Sequence, residues 1–387
     1  MCASMRLYFT WKLPETIIYL ACAIILLVYF LKIKFTESSL GIIVLLVLCY
    51  VYNYAHITAA FSFISLLNLI SLILISSYFL LSSIDFKLKL LSGFDWFLKC
   101  LCCISLIGWV LYLAGIPLPH YYSNTSDFYT HDVYYLFVIT NNGILDVIPR
   151  FSGLFLEPGH IGSTACLLLY IHKFNFRIKS NYIYLFSILF SLSLAAYCLF
   201  FIGICMYYFL NGRHIMKYVL ILGCFAALFV SIGLTYNSGD NIVNEKILSR
   251  LVFEDGQLSG DNRTSMLFDS YYDEWLEKGD IVWGYGRKAY GYDGSTNLLL
   301  GTASFKRFFF IQGLVGTILV ALLYFILFYK FRSKQGYGFF VLYILCNMIR
   351  DYPYRLMWFY LFVCGIISLY MSEKNSSIIA DKKVCYS

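Results

Sequence analysis

The chain has 387 residues, of which 60% are hydrophobic and 13% charged, with a mean hydropathy of +0.72. A soluble domain has too little interior to bury that much apolar surface, so the composition excludes that class and leaves an integral membrane protein. The net charge of +7 does not signal nucleic acid: Lys and Arg fall in short segments between apolar runs, and no basic stretch is long enough to serve as a nucleic-acid arm.

A membrane span needs about 20 apolar residues. Candidate spans follow in order at about 16–33, 40–55, 58–83, 98–115, 157–172, 181–195, 197–210, 217–235, 308–329, 337–350 and 356–371. The first is followed by Lys32-Ile33-Lys34 rather than by a small-residue cleavage site, so it reads as a retained span and not a removed signal. The run 181–210 is too long for one helix and barely long enough for two, which predicts a tight turn near Ser191–Ser193. The fold class is therefore all-α: a polytopic helical membrane protein of about 11 transmembrane helices (10–12), one transmembrane domain over 1–387, with two large loops at 116–156 and 236–307. The 13 cysteines lie in apolar segments or near the termini, and neither long loop contains one. That argues against a disulfide framework there, and no Cys/His spacing suggests a metal site.

The short connections "KIK" (32–34), "DFKLK" (85–89), "HKFNFRIK" (172–179), "NGRHIMK" (211–217) and "KFRSK" (330–334) are basic and belong on the cytoplasmic side. The two long loops then face outward. Parity over eleven spans puts the N-terminus outside as well, against the hint given by Arg6 and Lys12.

The stretch "RFSGLFLEPGHIG" (150–162) leads from the first long loop into the fifth span. Pro158 suits the first turn of a helix, where its missing N–H costs nothing. The helix N-terminus presents free N–H groups and partial positive charge outward, and Arg150 adds a full charge, which together make an anion cradle at the membrane surface. The competing reading is that Arg150 anchors at headgroups while Glu157 merely caps the helix.

Further cations gather on outward segments: Arg250, Arg263, Arg287, Lys288, Lys306, Arg307, Arg350 and Arg355. Topology selection works against cations beside outward span ends, and guanidinium forks suit phosphate. The loop 236–307 also carries eight or more acidic residues, among them Asp269 and Asp280, so salt bridging can account for part of the set. Within it, "NEKILSRLVFEDG" and "NRTSMLFDSYYDEWLEKGD" are predicted to form amphipathic helices, the second with Met266, Leu267, Tyr271, Trp275 and Leu276 on its apolar face. "VWGYGRKAYGYDG" is read as a turn whose aromatics, Tyr285 included, can stack on sugar rings.

These features resemble the bacterial O-antigen polymerase (Wzy-type) family, within the wider group that includes O-antigen ligases. The resemblance covers most of the chain in topology. In sequence it rests on Arg150-Phe151-Ser152-Gly153 with Glu157-Pro158, and more loosely on Arg250, Arg263 and Gly284-Tyr285-Gly286. It implies an inner (cytoplasmic) membrane glycosyltransferase with periplasmic loops. Its substrates would be undecaprenyl-pyrophosphate-linked glycans, joined into O-antigen or capsular polysaccharide. No cofactor is implied. A polysaccharide chain-length regulator is a candidate partner beside membrane lipid. Under that reading Arg150 and Arg263 stabilise the departing pyrophosphate, while Arg250, Arg307, Arg287 and Tyr285 bind pyrophosphate or sugar. Glu157 and His160 are the candidate general bases.

The ligase branch carries a His-Asn or His-Ser pair in its large loop ahead of a G-x-x-G span. Here the stretch reads Ser295-Thr296-Asn297, and the span carries Gly313 and Gly316. The missing histidine favours polymerase over ligase. A flippase or other transporter is the alternative from a different class, against which stands the concentration of polarity in two loops rather than midway along spans.

Overall fold

A computed structural model describes residues 15–30, 37–58, 62–126, 129–142, 149–212, 215–241, 244–249, 253–254, 257–258, 265–291, 297–299, 304–350 and 353–384. Among these residues the helices are α1 (Glu15–Phe30), α2 (Glu37–Ile57), α3 (Phe63–Leu81), α4 (Ile84–Leu113), α5 (Pro158–Ile171), α6 (Asn181–Phe190), α7 (Leu194–Leu210), α8 (Ile215–Thr235), α9 (Met266–Lys278), α10 (Phe305–Lys330), α11 (Lys334–Ile349) and α12 (Leu356–Val384). Five of them, α2, α3, α4, α10 and α12, contain stretches long and apolar enough to cross a membrane. The chain is a helical membrane protein.

The predicted turn at 191–193 is present, with α6 ending at Phe190 and α7 starting at Leu194. Leu192 closes it in the left-handed region, at φ 44°. Close packing fixes the hairpin on its neighbour. A Cβ added at Gly162 of α5 would collide with Ala196 Cβ of α7, and Cys166 Sγ donates to Ala196 O at 3.3 Å.

The basic run at 85–89 is not a loop. Only Ser82 and Ser83 separate α3 from α4, and the Ser83 hydroxyl caps the new helix by accepting from Phe86 N at 3.2 Å. Lys87 is buried, and its ammonium donates back to Leu80 O at 3.1 Å and to Ser82 O, satisfying carbonyls at the end of α3. The charge that suggested a connection instead caps the preceding helix.

The chain is not wholly helical. Residues 120–142 form an antiparallel meander of β1 (His120–Ser126), β2 (Tyr129–Tyr134) and β3 (Val138–Asn142), in the order β1-β2-β3. The β2–β3 turn carries Leu136 and Phe137 at φ 65° and 61°, the positive values that a tight hairpin requires. Its tip docks on α4: Ser105 Oγ donates to Phe137 O at 2.7 Å, and a Cβ at Gly108 would clash with Leu136. The first predicted amphipathic helix of the large loop is also replaced, by a single turn at Asn244–Leu248 and a two-stranded pair, β4 (Phe253–Glu254) and β5 (Gln257–Leu258).

The second predicted helix is α9, capped by Ser265, but its buried face differs from the expected one. Phe268 and Trp275 are buried and Tyr272 packs with them, while Leu267, Tyr271 and Leu276 are exposed. The i, i+4, i+7 stripe falls one residue over because Phe310 of α10 supplies the aromatic socket, edge-on to both Phe268 and Trp275 at 5.3 and 5.2 Å.

Long-range contacts sort the helix ends into two groups. The C-terminal ends of α2, α4 and α11, the N-terminal ends of α5 and α10, the 191–193 turn and the β meander lie at one end, through pairs such as Trp109–Pro149, Arg350–Glu157, His56–Ile311 and Ser105–Phe137. The opposite end is tied by Tyr170 to Gln335 and by Glu373, which accepts from the backbone N–H groups of Lys334 and Gln335 at 2.9 and 2.6 Å. Near it a buried network holds Asp95 between Lys99 Nζ at 2.8 Å and the Tyr184 hydroxyl at 2.9 Å.

Candidate functional site

Arg150 sits where the chain leaves the first long loop. Trp109 of α4 fixes this entry: its Nε1 donates to Pro149 O at 3.0 Å, and its ring stacks on Phe190 at 4.9 Å. Phe151 N donates to Phe190 O at 2.9 Å, and Arg150 Nε donates to Ser191 O at 3.1 Å. The arginine is thus anchored through one nitrogen to the hairpin turn between α6 and α7.

Glu157 occupies the N-cap position of α5, with Pro158 at the first helical position, but its side chain makes no capping hydrogen bond. Its carboxylate instead pairs with the guanidinium of Arg350, at the end of α11. The capping reading of Glu157 is therefore replaced by a long-range ion pair. Gly159 makes room for it, since a Cβ there would lie 3.3 Å from Arg350 Nη2 and 3.7 Å from Ser193 Oγ. The 191–193 turn thus stands between Arg150 and Arg350. His160 lies on the same first turn as Glu157, half-buried, with its carbonyl accepting from Thr164 Oγ1 at 2.8 Å. Arg150 on Ser191 and the Glu157–Arg350 pair beside Ser193 thus lie near one turn at the head of α5. Guanidinium groups and a helix N-terminus are groups able to bind an anion, and a carboxylate is one able to accept a proton. Sequence reading marks Arg350 as an outward cation but does not pair it with Glu157.

The other expected residues lie elsewhere. Arg250 and Arg263 fall outside the described residues. Tyr285 stacks on Phe310 with ring centroids 4.8 Å apart, so one face of its ring is already covered. Arg287 is exposed on the short helical turn Gly286–Tyr290. Of the cations near α10, Lys306 pairs with Asp269 at 3.3 Å, the salt bridging that the acidic loop predicted.

Arg307 belongs to a second feature. It lines a cavity of about 260 Å³ with Asn53, Asn68, Gln312, Tyr354 and Arg355. Burial raises the Tyr354 phenol well above its usual value, so it stays a neutral hydroxyl. The connection between α11 and α12 therefore contributes an arginine to each place: Arg350 to Glu157, and Arg355 to the cavity.

Beside the cavity α10 is broken at Gly313, which adopts φ 62° and ψ −168°. The segment 281–285 lies against the break. Ile281 O and Val282 O accept from Leu314 N and Val315 N at 2.9 and 3.1 Å, and Tyr285 N donates to Phe310 O at 2.7 Å. Gly284 and Gly313 approach so closely that a Cβ on either would collide with the other's backbone. This explains the "GYG" stretch as a strap that satisfies the backbone groups freed by the break.

No family model matches the chain, and neither a curated protein nor a solved structure matches it.

Proposed function

We propose that the chain is a membrane glycosyltransferase that polymerises oligosaccharide units carried on a polyprenyl diphosphate such as undecaprenyl pyrophosphate. In this reading eleven helices, α1 to α8 and α10 to α12, traverse or enter the bilayer of the bacterial inner membrane, and the end that bears Arg150 faces the periplasm. The single observation that carries the reading is that Arg150 is bonded to the 191–193 turn while Arg350 pairs with Glu157 beside the same turn, at the N-terminus of α5.

The chemistry follows from those groups. The bond between the donor's anomeric carbon and the diphosphate oxygen breaks, and the lipid diphosphate leaves with the electron pair. Arg150 and Arg350, with the α5 N-terminus, stabilise that growing negative charge, and such stabilisation usually contributes more to the rate than any other single effect. The acceptor hydroxyl bonds to the anomeric carbon and gives up its proton to Glu157, with His160 further along the same turn as the other candidate base. As the diphosphate draws Arg350, the Glu157 carboxylate is released to take that proton. Arg250 and Arg263 remain candidates for the same diphosphate, and Arg287 for a more peripheral contact.

A transporter reading draws support from the broken α10, since broken helices line substrate sites in many carriers. Here the first N–H groups of the second half-helix, those of Leu314 and Val315, are already taken by Ile281 and Val282, so that terminus is occupied by the chain itself. The test is deletion of the gene followed by analysis of the surface polysaccharide. Polymerase function predicts single repeat units attached where a ladder was. Unattached lipid-linked polymer would instead mean a ligase, and units trapped on the inner leaflet a flippase.

A further inference from the structure

At the end of α5 opposite Arg150 lies a cavity of about 670 Å³, lined by Lys173, Asn175, Arg177, Tyr182, Tyr207 and Tyr208 among others. The connection from α5 to α6 forms one wall. Phe174 holds that connection in place, buried against Phe200 and Tyr207 of α7 at 5.8 and 6.0 Å. Arg177 N donates to Asn175 Oδ1 at 3.1 Å, and Asn181 Nδ2 donates to Asn175 O at 2.8 Å. The charge here is one-sided. Arg177 is exposed, and its guanidinium makes no ion pair or hydrogen bond among the described residues. Lys173 Nζ donates to the neutral Ser372 Oγ of α12. Glu373, next to Ser372, is engaged by Lys334 N and Gln335 N at 2.9 and 2.6 Å. No acidic side chain is among the described residues that line the cavity. An open guanidinium fork suits a phosphate.

A second, independent feature adjoins the cavity. α6 turns Asn181, Tyr184, Ser187 and Ile188 inward. Tyr182, Phe186 and Leu189 are instead 43%, 44% and 43% exposed. Their i, i+4, i+7 spacing puts them in one stripe. Three of the four inward residues carry a polar group while the outward stripe is aromatic and aliphatic, the reverse of a water-facing helix. The stripe begins at Tyr182, which also lines the cavity, and runs on for about 10 Å at 1.5 Å per residue.

We propose that this cavity holds the headgroup of an anionic phospholipid, with the phosphodiester on Arg177 and an acyl chain along Tyr182, Phe186 and Leu189. Each alternative leaves one feature unserved. A free phosphate would meet the guanidinium and leave the stripe uncovered. A choline lipid would cover the stripe but bring its own cation against Lys173 and Arg177. A lipid such as phosphatidylglycerol serves both, and its head hydroxyls meet the tyrosines. The length of α6 favours the same occupant. Its 10 residues span about 15 Å, half of the hydrocarbon thickness of about 30 Å, so headgroups beside it are drawn inward toward the cavity. In the proposed orientation the cavity meets the cytoplasmic leaflet, where cations at the surface attract anionic lipid. The site rests on the placement of α6 and α7 in the bilayer and not on the polymerase chemistry.

The test is native mass spectrometry of the full chain purified in detergent, titrated with dioleoyl phosphatidylglycerol or dioleoyl phosphatidylcholine, with sodium glycerol phosphate as competitor. Phosphatidylglycerol should bind about ten-fold tighter than phosphatidylcholine, and excess glycerol phosphate should not displace it. Arg177→Gln should weaken phosphatidylglycerol about ten-fold, whereas Lys179→Gln, at an exposed lysine of the same connection outside the cavity, should change it less than about two-fold. Because the two lipids are compared on the unaltered chain, misfolding of a variant cannot rescue or defeat the result. Equal binding of the two lipids, displacement by glycerol phosphate, or equal losses in Arg177→Gln and Lys179→Gln overturns the proposal. The first outcome means ordinary annular lipid, the second a site for free phosphate, and the third diffuse attraction to a basic surface.

Discussion

Arg350 and Glu157, 193 positions apart in the chain, form an ion pair at the head of α5. The arginine side chain is only 14% exposed and the carboxylate 42%. The pair therefore leaves its acidic member the more exposed and its basic member largely covered. A structural bridge and a catalytic pair make different predictions here. Glu157→Gln and Arg350→Leu should each cost about 1–2 kcal/mol of stability, a modest loss because the carboxylate is half in water. The exchanged double variant, Glu157→Arg with Arg350→Glu, should regain thermal stability without regaining polymer. Recovery of the ladder in that double variant would reduce the pair to a brace.

Arg150 holds Ser191 O through its Nε, and in the proposed reaction the rest of its fork meets the diphosphate. Arg150→Ala should lower polymer yield by about 100-fold or more at normal protein level, the scale seen when one oxyanion-stabilising donor is removed. Arg150→Lys should recover little, because one ammonium cannot both hold the turn and grip two phosphate oxygens. Electrophoretic ladders with immunoblots for protein level measure both.

Gly162 and Gly41 make a matched pair. A Cβ at Gly162 meets Ala196 Cβ, whereas one at Gly41 meets nothing within 4 Å. Gly162→Ala should force α5 from α7 and destabilise by about 1–3 kcal/mol. Gly41→Ala should be neutral or should stabilise by about 0.5–1 kcal/mol. Thermal unfolding in detergent distinguishes them, and equal effects would contradict the close approach of α5 and α7.

The strap over α10 depends on two glycines with positive φ, Gly284 at 80° and Gly313 at 62°. Gly313→Ala should lift residues 281–285 and leave Leu314 and Val315 without their carbonyl partners, at a cost of about 1–3 kcal/mol. Hydrogen exchange at those two amides should accelerate while exchange in α5 stays slow.

Much of this fold is readable from local pattern. The turn at 191–193 follows from a run of apolar residues that no single helix can use, and Pro158 announces the start of α5. The edge of α9 is legible in Ser265, but its buried face is not, because Phe310, which selects that face, is remote in sequence. The meander at 120–142 escapes for a similar reason: its tip is held by Ser105 and Gly108 of α4, which from sequence alone are ordinary small residues of a span. The basic run at 85–89 misleads because lysine can cap a preceding helix as well as mark a loop. Within the site, Arg150 and Glu157 stand out by motif, whereas the partner of Glu157 lies 193 positions away and leaves no local trace.

The most direct test of the central claim is reconstitution. The purified chain in proteoliposomes, supplied with a repeat unit on undecaprenyl pyrophosphate, should form polymer and release one lipid diphosphate for each unit joined. Arg150→Ala should abolish both together while the protein remains folded. Polymer formation that survives Arg150→Ala unchanged, or no lipid diphosphate released by the unaltered chain, would contradict the account.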